Sequence, residues 1–595
     1  MLKINHFLLA TLFVLSTTVA ISLGADEEEP TQTKRQKIRV ARIDVRGALP
    51  ETASQPGFLG MKQPHLRKLI ARIDKAQMDD RISAVYLRVQ NPQIDRGRLA
   101  ELRAAINRLR SAGKKVYAEL QMGTAQDYLL ATSCDQIIMP ESGTLMVTGI
   151  RAEITFFKDL LDKLDIEADM IQVGDYKGAA EPLTRDSMSD EFRAQYESLI
   201  DDLYNHLVET IADERKLDPK KVREAIDIGI LTAAEARARG LIDHVAYGRE
   251  FLEQLVESDE TDSLVVVKEY GIDQVDSDLG GITGLMKMME LLMGGQPSPD
   301  SGQQKKIAVV YAIGPIMTGE SIPGVFGEQI VGSDTIADAI RQAESDRRVI
   351  GTVLRVNSPG GSAIASDQIW SAIVAAKKPV IASMGDVAAS GGYYISMGCD
   401  KIFAEPATLT GSIGVVGGKI AMGGLLKKVG INTEIISRGK NSGLLSPQAK
   451  FTNSEREVWL KMMNETYRLF VSKAAEGRKM DRDLVEALAG GRIWTGRQAQ
   501  NRGLIDQLGS LQDAIDEVKQ QTGVDEDEKV ELMILPEPTS LLDHLAEGAL
   551  FSTSIRQSAE ALVPGSSTQF QQFAVLQRLF VEPTVLLLPY TINIR

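Results

Sequence analysis

Ser390 and Ala125 occupy matching places in two copies of one repeat, and only the second copy carries a hydroxyl. The first copy reads Lys114 Lys115 Val116 Tyr117 Ala118, then Ala125 Gln126 Asp127 Tyr128, then Cys134 Asp135 Gln136 Ile137. The second reads Lys377 Lys378 Pro379 Val380 Ile381 Ala382, then Ser390 Gly391 Gly392 Tyr393, then Cys399 Asp400 Lys401 Ile402. Tyr128 and Tyr393 stand 265 residues apart, as do Cys134 and Cys399. A doubled fold with a serine in one copy implies that the copies have divided an active site between them.

Ser390 lies among small residues, Gly385 to Tyr394, which leave room for a substrate. Asn357 Ser358 Pro359 Gly360 Gly361 precedes a helical pattern. Its glycines let backbone approach a ligand closely and present N–H groups at a helix start. Gly360 or Gly361, with Gly391, could therefore hold a developing oxyanion. The plainer alternatives are a strand-to-helix turn at Gly360 and a capping serine at 390. Against them, the first copy has Asn91 Pro92 Gln93 Ile94 at the matching turn and lacks the glycine pair, so two features are degraded together.

A serine nucleophile needs a base. The five histidines are His6, His65, His206, His244 and His544, and none falls between residues 245 and 543. Lysine serves instead if burial brings its pKa down from about 10.4. Lys177, followed by Gly178 Ala179 Ala180, is the best placed candidate. Pro182 matches Pro447, so Lys177 falls opposite Ser442, and again one copy alone has the functional group. Lys440 is the competing base, and a solvated surface lysine is the plainer reading of Lys177.

These residues need a scaffold of repeated strands and helices. Ile38 to Val45 and Lys306 to Ile313 open the two copies as strands, and Leu87 Arg88 Val89 matches Leu354 Arg355 Val356 as a buried strand. Phe192, Tyr196, Ile200, Leu203, Leu207 and Ile211 recur at helical spacing, as do Trp459, Met463, Tyr467 and Phe470. Ser454 with Glu457 predicts a capping box at the second of these helices. Both cysteines read as small buried residues ahead of a strand. The expected class is α/β with two similar domains, 38–270 and 306–520. Residues 271–305 read as a linker containing a short Met-rich helix, Leu285 to Met293, and 521–595 as a tail without counterpart. The apolar run Val585 to Leu588 is too short to cross a membrane.

Among 595 residues, 25% are charged and the net charge is −14, which argues against a nucleic-acid partner. No paired His or Cys/His spacing implies a metal, and no cofactor is called for. Lys3, the apolar stretch Phe7 to Leu23 and the small residues near Gly24 Ala25 look like an export signal or a retained anchor over residues 1–25. The body is then expected outside the cytoplasm.

Taken together, Gly385 to Tyr394, Asn357 to Gly361, Thr410 Gly411 Ser412 Ile413 Gly414 and Asp175 to Pro182 resemble the motifs of the signal peptide peptidase A family in its long two-domain form. The resemblance implies two tandem ClpP/crotonase-like domains and a serine endopeptidase with Ser390 as nucleophile and Lys177 as general base. It implies Gly360 or Gly361 with Gly391 as oxyanion donors. It also implies apolar peptide substrates such as released signal peptides, membrane association in the cell envelope, and a homo-oligomer, often a tetramer. The rival readings are a crotonase-like acyl-CoA enzyme, which leaves the Ser390/Lys177 asymmetry unexplained, and a non-catalytic scaffold.

Overall fold

Lys306–Ile313 is apolar at seven of its eight positions and is buried along its length, the pattern of a strand covered on both faces. It sits inside a sheet ordered 493–495, 409–411, 380–389, 349–358, 306–313, 531–535, with 401–404 and 507–508 pairing off that path. The first copy builds a parallel sheet in the order 264–267, 38–48, 84–93, 115–120, 136–139, 244–245. The structure is a computed structural model and describes residues 38–51, 65–258, 264–272, 304–323, 329–525, 528–536 and 585–587. Residues 1–25 and the Met-rich stretch 285–293 lie outside them. Among the described residues no helix is long and apolar enough to cross a membrane.

The repeat survives as hydrogen bonds. Tyr128 Oη donates to the Leu241 carbonyl at 2.7 Å, and Tyr393 Oη donates to the Leu504 carbonyl at 2.9 Å. Arg215 pairs with Asp243 as Arg478 pairs with Asp506. Phe157 N–H donates to the Pro182 carbonyl and Met422 N–H to the Pro447 carbonyl, each at 2.7 Å, which places the lysine-bearing loop in register with its second-copy counterpart. Cys134 and Cys399 are free and buried, each just ahead of a strand.

Three sequence expectations shift. The long helix Asn453–Arg478 is capped by Thr452, not Ser454. Thr452 is extended and its hydroxyl accepts from Glu455 N, while Glu455 closes the capping box. In the first-copy helix Asp190–Arg215, Leu199 is buried and Ile200 only half-buried. The stretch after residue 521 is not wholly without counterpart. Glu531–Leu535 pairs parallel with Lys306–Val310 at the sheet edge, as Leu264–Val267 pairs with Ile38–Ala41.

The copies dock through a polar seam and a shared sheet. Glu167–Val173 of the first copy runs antiparallel to Val415–Ala421 of the second. Asp386 caps the first-copy helix Arg96–Ser111: its Oδ1 accepts from Gly97 N–H at 2.8 Å and Arg98 N–H at 3.1 Å, and its Oδ2 faces Arg98 Nε at 2.9 Å. A carboxylate at a helix N-terminus meets both the unpaired N–H groups and the helix dipole. Asn357 Nδ2 donates to the same Asp386 at 3.1 Å. Asp386, quoted in one glycine-rich motif, thus ties the copies together, and Asn357 of the other steadies it from within the same copy. Arg355, fully buried, faces Glu51 at 3.0 Å and Glu101 at 2.8 Å, both from the first copy.

Candidate active site

Ser390 closes the strand Val380–Ala389 and starts the short helix Gly391–Ser396. Its φ of 55° and ψ of −112° lie outside the ordinary regions for a residue with a side chain. Such strain costs about 1–3 kcal/mol and persists only where the surroundings impose it. Here its N–H donates to the Gly411 carbonyl and its carbonyl accepts from Tyr394 N–H, both at 2.8 Å. In the first copy the helix starts with Ala125, and Thr124 caps it conventionally through Asp127. Ser390 makes no such side-chain cap bond. Its hydroxyl is left for Lys177.

Lys177 Nζ stands 2.7 Å from Ser390 Oγ, within one chain. Its other contacts are the Ser412 carbonyl at 3.0 Å and Ser412 Oγ at 2.9 Å. Lysine and both serines have no exposed surface. Burial pushes the Lys177 amine well below the ordinary lysine range. A buried ammonium lacking a carboxylate partner is costly, so the neutral amine is favoured. Its two N–H groups then donate to Ser412, and its lone pair accepts from the Ser390 hydroxyl. Lys440 is exposed on a surface segment.

Two glycines wall the lysine stem. A Cβ on Gly491 would lie 2.6 Å from Lys177 Cβ and N, and one on Gly414 would lie 3.2 Å from Lys177 Cδ. The same segment clamps both loops. Tyr176 N–H donates to the Gly490 carbonyl at 2.9 Å, Gly491 N–H to the Ile413 carbonyl at 2.7 Å, and Ser412 N–H to the Arg492 carbonyl at 2.7 Å. Gly491 also has φ +84°. Gly491→Ala is therefore expected to displace the lysine and lower kcat about 100-fold with KM little changed, since ångström-scale misplacement costs on that order. Steady-state kinetics beside an unchanged circular dichroism spectrum measures this. A kcat within threefold of the parent would mean that the loop absorbs the methyl group.

The glycine-rich strand Gly360–Ser362 lies against the start of the Ser390 helix. A Cβ on Gly391 would sit 3.0 Å from Gly360 Cα and 3.1 Å from Gly361 N. A side chain on Gly361 would strike the Ile316 backbone, its Cβ 2.0 Å from that carbonyl oxygen. Gly360 N–H already donates to Ser358 Oγ at 3.1 Å.

Lys177 and Ser390 come together as expected, beside Gly360, Gly361 and Gly391. Sequence reasoning gave no role to Ser412, although it stands inside the quoted Thr410–Gly414 motif, and did not single out Gly491. Nothing local marks Gly491, which meets Lys177 only through the tertiary fold.

The chain is similar to known proteases over most of its length. The serine protease SPPA, chloroplastic, of Arabidopsis thaliana is 32% identical over 86% of this chain and 74% of its own. Protease 4 of Salmonella typhi is 28% identical over 86% of this chain and 83% of its own. Protease 4 of Haemophilus influenzae is 30% identical over 78% of this chain and 74% of its own. Among solved structures, a ClpP1 N165D mutant from Listeria monocytogenes matches 35% of this chain and 94% of its own at 15% identity and a TM-score of 0.24. The model of peptidase family S49 matches twice, at residues 108–261 and 372–525, once in each copy of the repeat. The chain belongs to peptidase family S49, a family of serine proteases.

Proposed function

We propose that this serine protease uses Ser390 as nucleophile and Lys177 as general base, with the N–H groups of Gly361 and Gly391 as oxyanion donors. The observation that carries the reading is the 2.7 Å contact between Lys177 Nζ and Ser390 Oγ in a site closed to water. Ser390 Oγ forms a bond to the scissile carbonyl carbon while its proton passes to Lys177 Nζ. The carbonyl electron pair moves onto oxygen, where the backbone N–H groups hold the charge. Lys177 then gives the proton to the leaving amine as the C–N bond breaks. Water repeats the sequence on the acyl-enzyme and frees the serine. Ser412 keeps the amine aimed by accepting its two N–H groups. Gly361 is chosen over Gly360 because the Gly360 N–H already serves Ser358.

The substrates proposed are apolar peptides such as released signal peptides, met in the cell envelope by a membrane-associated homo-oligomer. Two peptidase units, 38–270 and 306–520, each supply one half of the dyad. Hydrolysis of an apolar peptide by the full chain, lost on Ser390→Ala with the fold intact, tests the assignment. Persistence of cleavage in that variant would refute it.

The pH dependence follows from the burial of Lys177. Its folded pKa lies below its unfolded value, and only the neutral amine can take the serine proton. The expected kcat/KM rises tenfold per pH unit on the acid limb and levels off well below pH 10. A limb near the ordinary lysine value would exclude Lys177 as base. Stability carries the same signature. Between the folded pKa and 10.5 the unfolded chain binds the extra proton, so stability rises with pH across that window, by at most about 1.4 kcal/mol per unit, and is flat below it.

A further inference from the structure

A strand from the far end of the chain lies on the Ser390 site. Val585–Leu587 runs antiparallel to Gly360–Ser362, with Leu587 opposite Gly360, Leu586 opposite Gly361 and Val585 opposite Ser362. On its other edge Val585 stands opposite Val416. The sheet order is 360–362, 585–587, 415–421, 167–173. Lifting the middle strand away leaves a slot one strand wide, about 10 Å between the flanking strands. One wall of that slot is the segment whose Gly360 Cα and Gly361 N approach Gly391. The other wall is the strand that pairs with Glu167–Val173, four residues ahead of Lys177.

Strand addition to a sheet edge rests on backbone hydrogen bonds that any extended peptide supplies, with side chains setting preference. A peptide substrate presented to Ser390 therefore needs the edges that Val585–Leu587 already holds. Ser390 has no exposed surface while that strand is in place. The sequence across the position, Val585 Leu586 Leu587 Leu588, is wholly apolar, the same chemistry proposed for the substrates.

We propose that Val585–Leu587 is an internal competitor, occupying the peptide slot of the Ser390 site as a strand that substrate must displace. This rests on the reading of Ser390 as nucleophile. The competitor also marks polarity, since a substrate taking its place runs antiparallel to Gly360–Ser362. Being tethered, it competes as an intramolecular ligand, at an effective concentration set by the chain that carries it. It raises KM and leaves kcat nearly unchanged, because the substrate-bound state no longer contains it.

The test is Leu586→Pro in the full chain, which removes a backbone donor from the strand. KM for an apolar peptide is expected to fall about tenfold, with kcat within twofold. A synthetic peptide spanning residues 584–589 is expected to inhibit the variant competitively. Unchanged KM would overturn the competitor role. Amide hydrogen exchange of segment 357–364, compared in Ser390→Ala with and without Leu586→Pro, reads occupancy without any need for turnover. At least tenfold faster exchange there, with the rest of the chain unaltered, is expected, and equal exchange would overturn the placement. Cleavage that persists in Ser390→Ala while exchange still responds would sink the nucleophile assignment and leave the strand where it is.

Discussion

Replacing Ser390 by alanine, or Lys177 by methionine, is expected to lower kcat for peptide hydrolysis roughly 10⁴- to 10⁶-fold, with the fold retained. Without Ser390 no acyl-enzyme forms. Without Lys177 the hydroxyl keeps its proton, because Lys177 Nζ is the basic group that contacts its oxygen. The two groups act as a unit, so Ser390→Ala with Lys177→Met should be scarcely worse than either alone. Methionine fills much of the lysine volume and removes a buried amine that lacks a carboxylate partner. The Lys177→Met protein should therefore melt at the parent temperature or above it. Single-turnover kinetics on an apolar peptide, with melting curves for all four proteins, measures both points. Substantial turnover by Lys177→Met would transfer the base role elsewhere, and a collapsed melting temperature would mean that the lysine chiefly supports the fold.

The second large effect lies at the seam. Arg355→Met is expected to cost about 3–5 kcal/mol, because it strands two buried carboxylates rather than removing a neutral contact. Arg355 Nε and Nη2 face Glu51 at 3.2 and 3.0 Å, and Nη1 faces Glu101 at 2.8 Å and Ser383 Oγ at 2.9 Å. Burial pushes the Glu101 carboxyl up, and it pushes Glu405 up further, with Glu101 adding to the effect on Glu405. Arg355 is the cation that opposes this. Once it is gone, the seam carboxyls take folded pKa values above their unfolded ones. Part of the lost stability should then return as pH falls and those groups protonate. Urea midpoints at pH 5 and pH 7 measure the loss and its recovery. A change under 1 kcal/mol at both would mean that water enters and solvates the carboxylates. Adding Glu51→Gln and Glu101→Gln should restore much of the loss at pH 7.

The repeat was legible because both copies keep the same apolar strands and the same small residues at the same spacing. Lys306–Ile313 could be bounded to the residue, since it opens on a lysine and Gly314 follows its last residue. Ser390 and Lys177 stood out through what the other copy lacks at those places. What escaped were contacts between segments far apart in the chain. Gly491 touches Lys177 across more than 300 residues, and Asp386, read inside a catalytic motif, spends its side chain on the seam. The cap at Thr452 was missed for a local reason. Thr452 with Glu455 and Ser454 with Glu457 both fit the capping pattern, and the extended backbone at Thr452 decides between them.

The partners in the proposed dyad are 213 residues apart and lie in different copies. A nascent chain that has emerged through residue 270 holds the amine and no hydroxyl to activate, and a fragment beginning at residue 306 holds the hydroxyl alone. With that dyad, neither piece would cleave a peptide. Translation that stalls, or cleavage between the copies followed by their separation, would on the proposed dyad yield inert fragments, so that proteolysis waits until the chain is whole.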